Sequence, residues 1–171
     1  MLFEKFGEFD SVEELNRAAA AQLAEGEREA LFLLAEENGI DREDAEDYMD
    51  GVMPELATPL MAAIGKLKLE KEEYQLKGVL AEWVDDIMGM CGVDPAMCAG
   101  VRRTGKGLDG YVAMLVEKGY QDRVEVDKRI VRKTKQVKNI VGAHPLSIGV
   151  PDRRTRKELA EKYYLGEEAG K

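Results

Sequence analysis

Apolar residues recur at helical spacing through most of this chain and at strand spacing almost nowhere. Ser11-Val12-Glu13-Glu14 is a capping box, in which the Ser11 hydroxyl takes a helix-start amide while Glu14 reaches back, so a helix is predicted from there to Ala24 and broken at Gly26. Glu27 to Asn38 reads as a second helix, with Ala30, Leu31, Leu33, Leu34 and Ala35 inward and Asn38-Gly39 as its stop. Asp41 caps a short third element that ends at Gly51. Thr58-Pro59 sets a cap and then a proline at the first helical position, where its missing N–H does no harm. A long helix is predicted to follow, because Leu60, Ile64, Leu67, Leu76, Val79, Leu80, Trp83, Val84 and Ile87 hold helical phase. Gly65 and Gly78 are the points at which it could split or admit a neighbouring helix. Asp94-Pro95 repeats the cap-then-proline start for a short helix through Arg103, Thr104 to Gly107 is a turn, and Leu108 to Lys118 forms the next helix.

From Arg123 the two periods compete. Arg123-Val124-Glu125-Val126-Asp127 alternates like a strand, whereas Val126, Ile130, Val131 and Val137 suit a helix, and helix is the favoured reading of 123–138. Ala143 to Pro151, with Pro145, Gly149 and Pro151, reads as a loop or linker, after which Asp152 caps a terminal helix to Leu165-Gly166. The pattern therefore predicts an all-α fold, a multi-helix bundle with one long central helix and a small C-terminal helical or α+β element. Trp83 is expected as a core anchor, and Met53, Met61, Met88, Met90, Met97 and Met114 as adaptable filling.

Composition agrees, with 171 residues, 44% of them hydrophobic and 35% charged, as in a folded helix-rich chain. Charge changes the picture, because the net −9 hides a division along the chain. Residues 1–100 hold 8 Lys/Arg against 24 Asp/Glu, while 101–171 hold 17 against 10. The expected organisation is an acidic helical domain over 1–104 and a basic C-terminal region over 105–171, with a linker at 142–151, or else a single domain. No apolar run approaches the roughly 20 residues of a membrane-spanning helix, and Met1 to Asp10 carries acids where a secretory signal has cations. A cytoplasmic location without membrane contact is expected.

Two charged segments are the candidate sites. Eight acids between 36 and 50 meet only Arg42, and Glu36, Glu37, Glu43, Asp44, Glu46, Asp47 and Asp50 could grip the cations of a protein partner. The spacing does not fit an EF-hand, since Glu46 stands at the sixth position and Val52 at the twelfth. A solvated helix face is the plainer role. Lys128, Arg129, Arg132, Lys133, Lys135 and Lys138 fall within a stretch free of acids, and on a helix 128, 132 and 135 would share one face. That stripe, joined by Arg153 and Arg154, suits the phosphate backbone of a nucleic acid; pairing with the acidic half is its alternative.

Enzymatic chemistry is not legible. His144 is alone beside Pro145 with no acid to orient it, and Gly105-Lys106-Gly107 lacks the spacing and the Ser/Thr of a phosphate loop. Cys91 and Cys98 have no second Cys or His pair to complete a zinc site, so reduced and partly buried thiols are expected, a disulfide being the alternative in an oxidising compartment. The expectation is no catalytic residue, no metal and no cofactor.

The blocks Phe6 to Ser11 with Glu13-Glu14-Leu15-Asn16, Leu34 to Asp41, Glu43 to Tyr48, Glu55 to Leu60 and Asp94 to Cys98 resemble a family of small accessory proteins of bacterial prophages and integrative conjugative elements. Some of its members act as anti-CRISPR inhibitors of Cas9. The similarity spans about residues 3–110 and supplies no site residues. It implies a non-enzymatic protein with a Cas9-type nuclease as partner, the acidic half competing for the surface that binds nucleic acid, and possible DNA binding. The alternative is a mobile-element DNA-binding or conjugation accessory protein that works through the 128–138 stripe.

Overall fold

The computed structural model describes residues 2–166, whose fold is all-α apart from one tiny ribbon. In chain order the elements are α1 (Val12–Glu25), α2 (Arg28–Glu37), α3 (Arg42–Met49), α4 (Pro59–Glu73), α5 (Val79–Cys91), α6 (Pro95–Arg102) and α7 (Leu108–Gln121). There follow β1 (Val124–Glu125), α8 (Lys128–Val131), α9 (Val137–Val141), β2 (Ser147–Ile148) and α10 (Arg153–Leu165). Four of the five starts read from a local cap have their bond. Ser11 Oγ accepts the Glu14 amide at 3.2 Å, Thr58 Oγ1 that of Met61 at 3.2 Å, Asp94 Oδ1 that of Ala96 at 2.9 Å and Asp152 Oδ1 that of Thr155 at 2.7 Å. Asp41 sits at the start of α3 without a side-chain cap bond.

The long central helix does not form. α4 ends at Glu73, and Gln75 and Gly78 adopt φ of 51° and 59°, a left-handed reversal that folds α5 back onto α4. Leu76, in phase with a continuous helix, packs against the core from the connection instead.

Two apolar clusters share α4. Leu15, Leu31, Leu34, Ala45, Leu56 and Ala62 belong to one, formed by α1 to α3, the connection after α3 and the first turn of α4. Ala63, Leu67, Trp83, Ile87, Tyr111 and Tyr164 belong to the other, which draws on α4 to α7 and α10. The two clusters therefore meet inside α4, between Ala62 and Ala63. α10 packs on α5, α6 and α7 and buries Ala160 and Tyr164, so the segment before it does not tether a detached element. Gly65 is where α4 meets the end of α2: a Cβ there would overlap the Asn38 carbonyl, and one on Gly39 would overlap the Gly65 backbone.

Candidate nucleic-acid interface

The 123–138 region is neither one helix nor one strand. β1 and β2 pair antiparallel with Val124 opposite Ile148 and Glu125 opposite Ser147, and the Val126 amide extends the ladder to the Leu146 carbonyl at 2.8 Å. The segment expected as a linker therefore returns as a strand. Between the strands α8 and α9 are single turns, interrupted because the Thr134 hydroxyl donates to the Val131 carbonyl at 2.7 Å and accepts the Lys138 amide at 3.0 Å. Such local bonding gives the backbone an alternative to continuing a helix. At the root, a Cβ on Gly149 would overlap the Gly119 carbonyl, so backbone meets backbone where this excursion leaves α7.

The result is an arm. No residue from Tyr120 to Val150 is buried. The cations do not share one helix face as the sequence suggested; they are distributed over α8, its end, the connection and α9. Lys128, Arg132, Lys133, Lys135 and Lys138 are exposed and make no ion pair with any described acid. Arg129 is engaged, with its guanidinium forked onto Asp127 through Nη2 at 2.7 Å and Nε at 3.0 Å. The cations that open α10 are largely neutralised: Arg153 lies 3.7 Å and Arg156 2.8 Å from Asp86 on α5, and Arg154 pairs with Glu158 at 2.9 Å.

The acidic segment divides as well. Glu37 accepts the amides of Lys5 at 2.9 Å and Phe6 at 3.1 Å, which commits it to holding the N-terminal segment. Glu46 pairs with Arg42 at 3.2 Å, and that guanidinium also lies over the Phe32 ring at 3.8 Å. Glu36, Glu43 and Asp50 are exposed and Asp44 and Asp47 half-buried, all without an ion pair among the described residues. Glu43 and Asp44 fall in the first turn of α3, where carboxylates oppose the positive end of the helix dipole.

A buried charged network went unread in the sequence. Lys66 on α4 is fully buried, bonded to Glu8, 4.0 Å from Glu70 Oε1 and donating to the Arg103 carbonyl at 3.1 Å. Glu70 Oε2 accepts the Leu108 amide at 2.9 Å, and burial pushes its carboxyl up to about 7 against the opposing pull of Lys66. Arg102 donates to the Asn38 carboxamide oxygen at 2.6 Å, and desolvation lowers its pKa. Asp10 accepts the Thr104 amide at 2.8 Å, so together with Glu8 and Glu37 it pins the N-terminal segment to α2, α4 and the turn after α6. One signal was available: Lys66 stands at i+3 from Ala63 and Glu70 at i+3 from Leu67, on the face that apolar phase assigns to the core.

Cys91 and Cys98 are buried free thiols, with the Cys98 Sγ donating to the Cys91 carbonyl at 3.2 Å. Burial pushes the Cys91 thiol up to about 12 and that of Cys98 upward too, away from the reactive thiolate. Among the described residues no group of three or more His, Cys, Asp or Glu could hold a metal ion, and no helix is long and apolar enough to cross a membrane. No family model, curated protein or solved structure matches the chain.

Proposed function

We propose that this is a non-enzymatic nucleic-acid-binding accessory protein that grips a phosphate backbone with its projecting arm. The observation that carries this reading is the set of five exposed cations, Lys128, Arg132, Lys133, Lys135 and Lys138, left uncompensated on a segment with no buried residue. Cations placed so release condensed counterions when they meet phosphates, and contacts of that kind fix a protein on a strand with little sequence preference. The test is retention of labelled single- and double-stranded DNA by the full chain at low salt, against a variant with Lys133, Lys135 and Lys138 changed to Ala. Undiminished retention by the variant removes the arm from consideration.

A second reading uses the acidic surface. Glu36, Glu43, Asp44, Asp47 and Asp50 lack internal cations, and the resemblance of residues 3–110 to mobile-element accessory proteins supports the same direction. In this reading the acidic face docks on the basic nucleic-acid channel of a Cas9-type RNA-guided nuclease and displaces phosphate from it. Reversal of Glu36, Glu43 and Asp50 to Lys is then expected to abolish inhibition of DNA cleavage by the nuclease, and unchanged inhibition removes this face as the contact.

A further inference from the structure

The arm forms an open pocket of about 290 Å3. Lys128 and Val131 reach it from α8, Arg132 from the end of that turn, Lys138 from α9, and His144 and Leu146 from the segment leading into β2. No carboxylate lines it. Three cations, with an imidazole beside them, thus line a space into which no carboxylate reaches, an arrangement that favours an anion there. The rest of the wall is apolar: Val126, Val131 and Leu146 are half-buried, and Pro145 stands beside them. The volume sits at the lower edge of the roughly 300–1,000 Å3 typical of small-molecule sites, and the mixture of an apolar wall with a few placed polar groups is what such sites share.

Phosphate alone would leave the apolar wall unused, and an apolar ligand would leave the cations unused. A nucleotide uses both. Within a stacked duplex each base pair offers only its edges to the grooves, and drawing a nucleotide out costs a few kcal/mol of unstacking, so a pocket without a device for that takes a nucleotide from a strand whose base is already unstacked. We infer that the arm cavity seats one unstacked nucleotide of a single strand, its phosphate among Lys128, Arg132 and Lys138 and its base against Val126, Val131 and Leu146. This rests on the reading of the arm as a nucleic-acid grip and narrows it to strand ends, loops and displaced strands. Lys133 and Lys135 do not line the cavity and serve the flanking phosphates.

The experiment compares binding of the full chain to a labelled single-stranded oligonucleotide and to its matched duplex, by fluorescence anisotropy, with a free nucleoside monophosphate as competitor. Ring stacking is worth roughly 1–3 kcal/mol per base and an aliphatic wall offers the lower end of that range, so single strand is expected to bind about fivefold tighter than duplex near 0.2 M salt, where phosphate contacts weaken. Ala143→Leu, which fills the pocket from its exposed rim without adding a ring on which a base could stack, is expected to bring the ratio close to one. The double variant Lys133→Ala/Lys135→Ala, off the cavity, is expected to weaken both ligands and leave the ratio intact. Equal affinity of the unaltered chain for strand and duplex overturns the nucleotide seat while leaving the phosphate grip standing; no binding to either overturns both. A free monophosphate that binds as tightly as the strand also overturns the assignment, because the cavity would then serve a small ligand and not a polymer.

Discussion

The arm reading has a quantitative consequence in the salt dependence of binding. Each neutralised phosphate contributes about −0.7 to the slope of log affinity against log salt for a single strand, and about −0.9 for duplex. Lys128, Arg132, Lys133, Lys135 and Lys138 are the five arm cations without an internal acid, which sets the slope for a strand that engages all of them at about −3.5. Affinity should then fall about 100-fold between 50 and 200 mM salt. Changing Lys133, Lys135 and Lys138 to Ala leaves two cations, so the slope should drop to about −1.4 and the loss over the same range to about sevenfold. All three side chains are exposed, and surface substitutions of this kind stay within about 0.5 kcal/mol in stability, so the thermal midpoint should not move. Two controls follow from the geometry. Arg129→Ala should change the slope little, since its guanidinium is already forked onto Asp127, and the pair Arg153→Ala/Arg154→Ala should behave likewise, since both side chains have carboxylates on the body. The assay is a titration of labelled oligonucleotide at four or five salt concentrations, the number being a choice of design. A triple variant that keeps the parent slope, or an Arg153/Arg154 variant that lowers it as much, refutes the assignment of phosphate contact to the arm.

The buried network predicts an unusual pH profile. Because the Glu70 carboxyl is raised to about 7 in the fold, the stability linked to its protonated form is present below the ordinary carboxylate range and is lost as pH rises through about 7, on the order of 3 kcal/mol in all. Glu70→Gln keeps an oxygen for the Leu108 amide and should flatten denaturant midpoints across that window; parallel profiles for the two proteins would contradict the argument. In the second core the Tyr164 hydroxyl is buried without a hydrogen-bond partner among the described residues. Tyr164→Phe should therefore raise unfolding stability by about 1 kcal/mol, seen as a thermal midpoint roughly 2–4 °C higher, and a loss of stability would mean that the hydroxyl is bonded.

How much of this was legible follows from the range of the forces involved. The sequence by itself determined the helix starts at Ser11, Thr58, Asp94 and Asp152, the stop at Asn38-Gly39 and the all-α class, because a cap bond spans two or three residues and helical phase repeats within one turn. It also located the cations of 128–138, since charge is a property of composition. Tertiary structure decided what those residues meet. Leu76 kept helical phase across the Gln75–Gly78 reversal, so periodicity could not reveal that α4 and α5 fold back on each other. The short ribbon needed Ser147 and Ile148 to pair with residues more than twenty positions earlier, a contact that no local period encodes. Which charges are free was settled in the same way. Asp86 neutralises Arg153 and Arg156 across the body, Glu37 is spent on two backbone amides, and the arm cations are left facing solvent because the ribbon carries them clear of every carboxylate on the core. Charge along a chain is fixed by its residues, but its availability depends on through-space distance, and that exists only once the chain has folded.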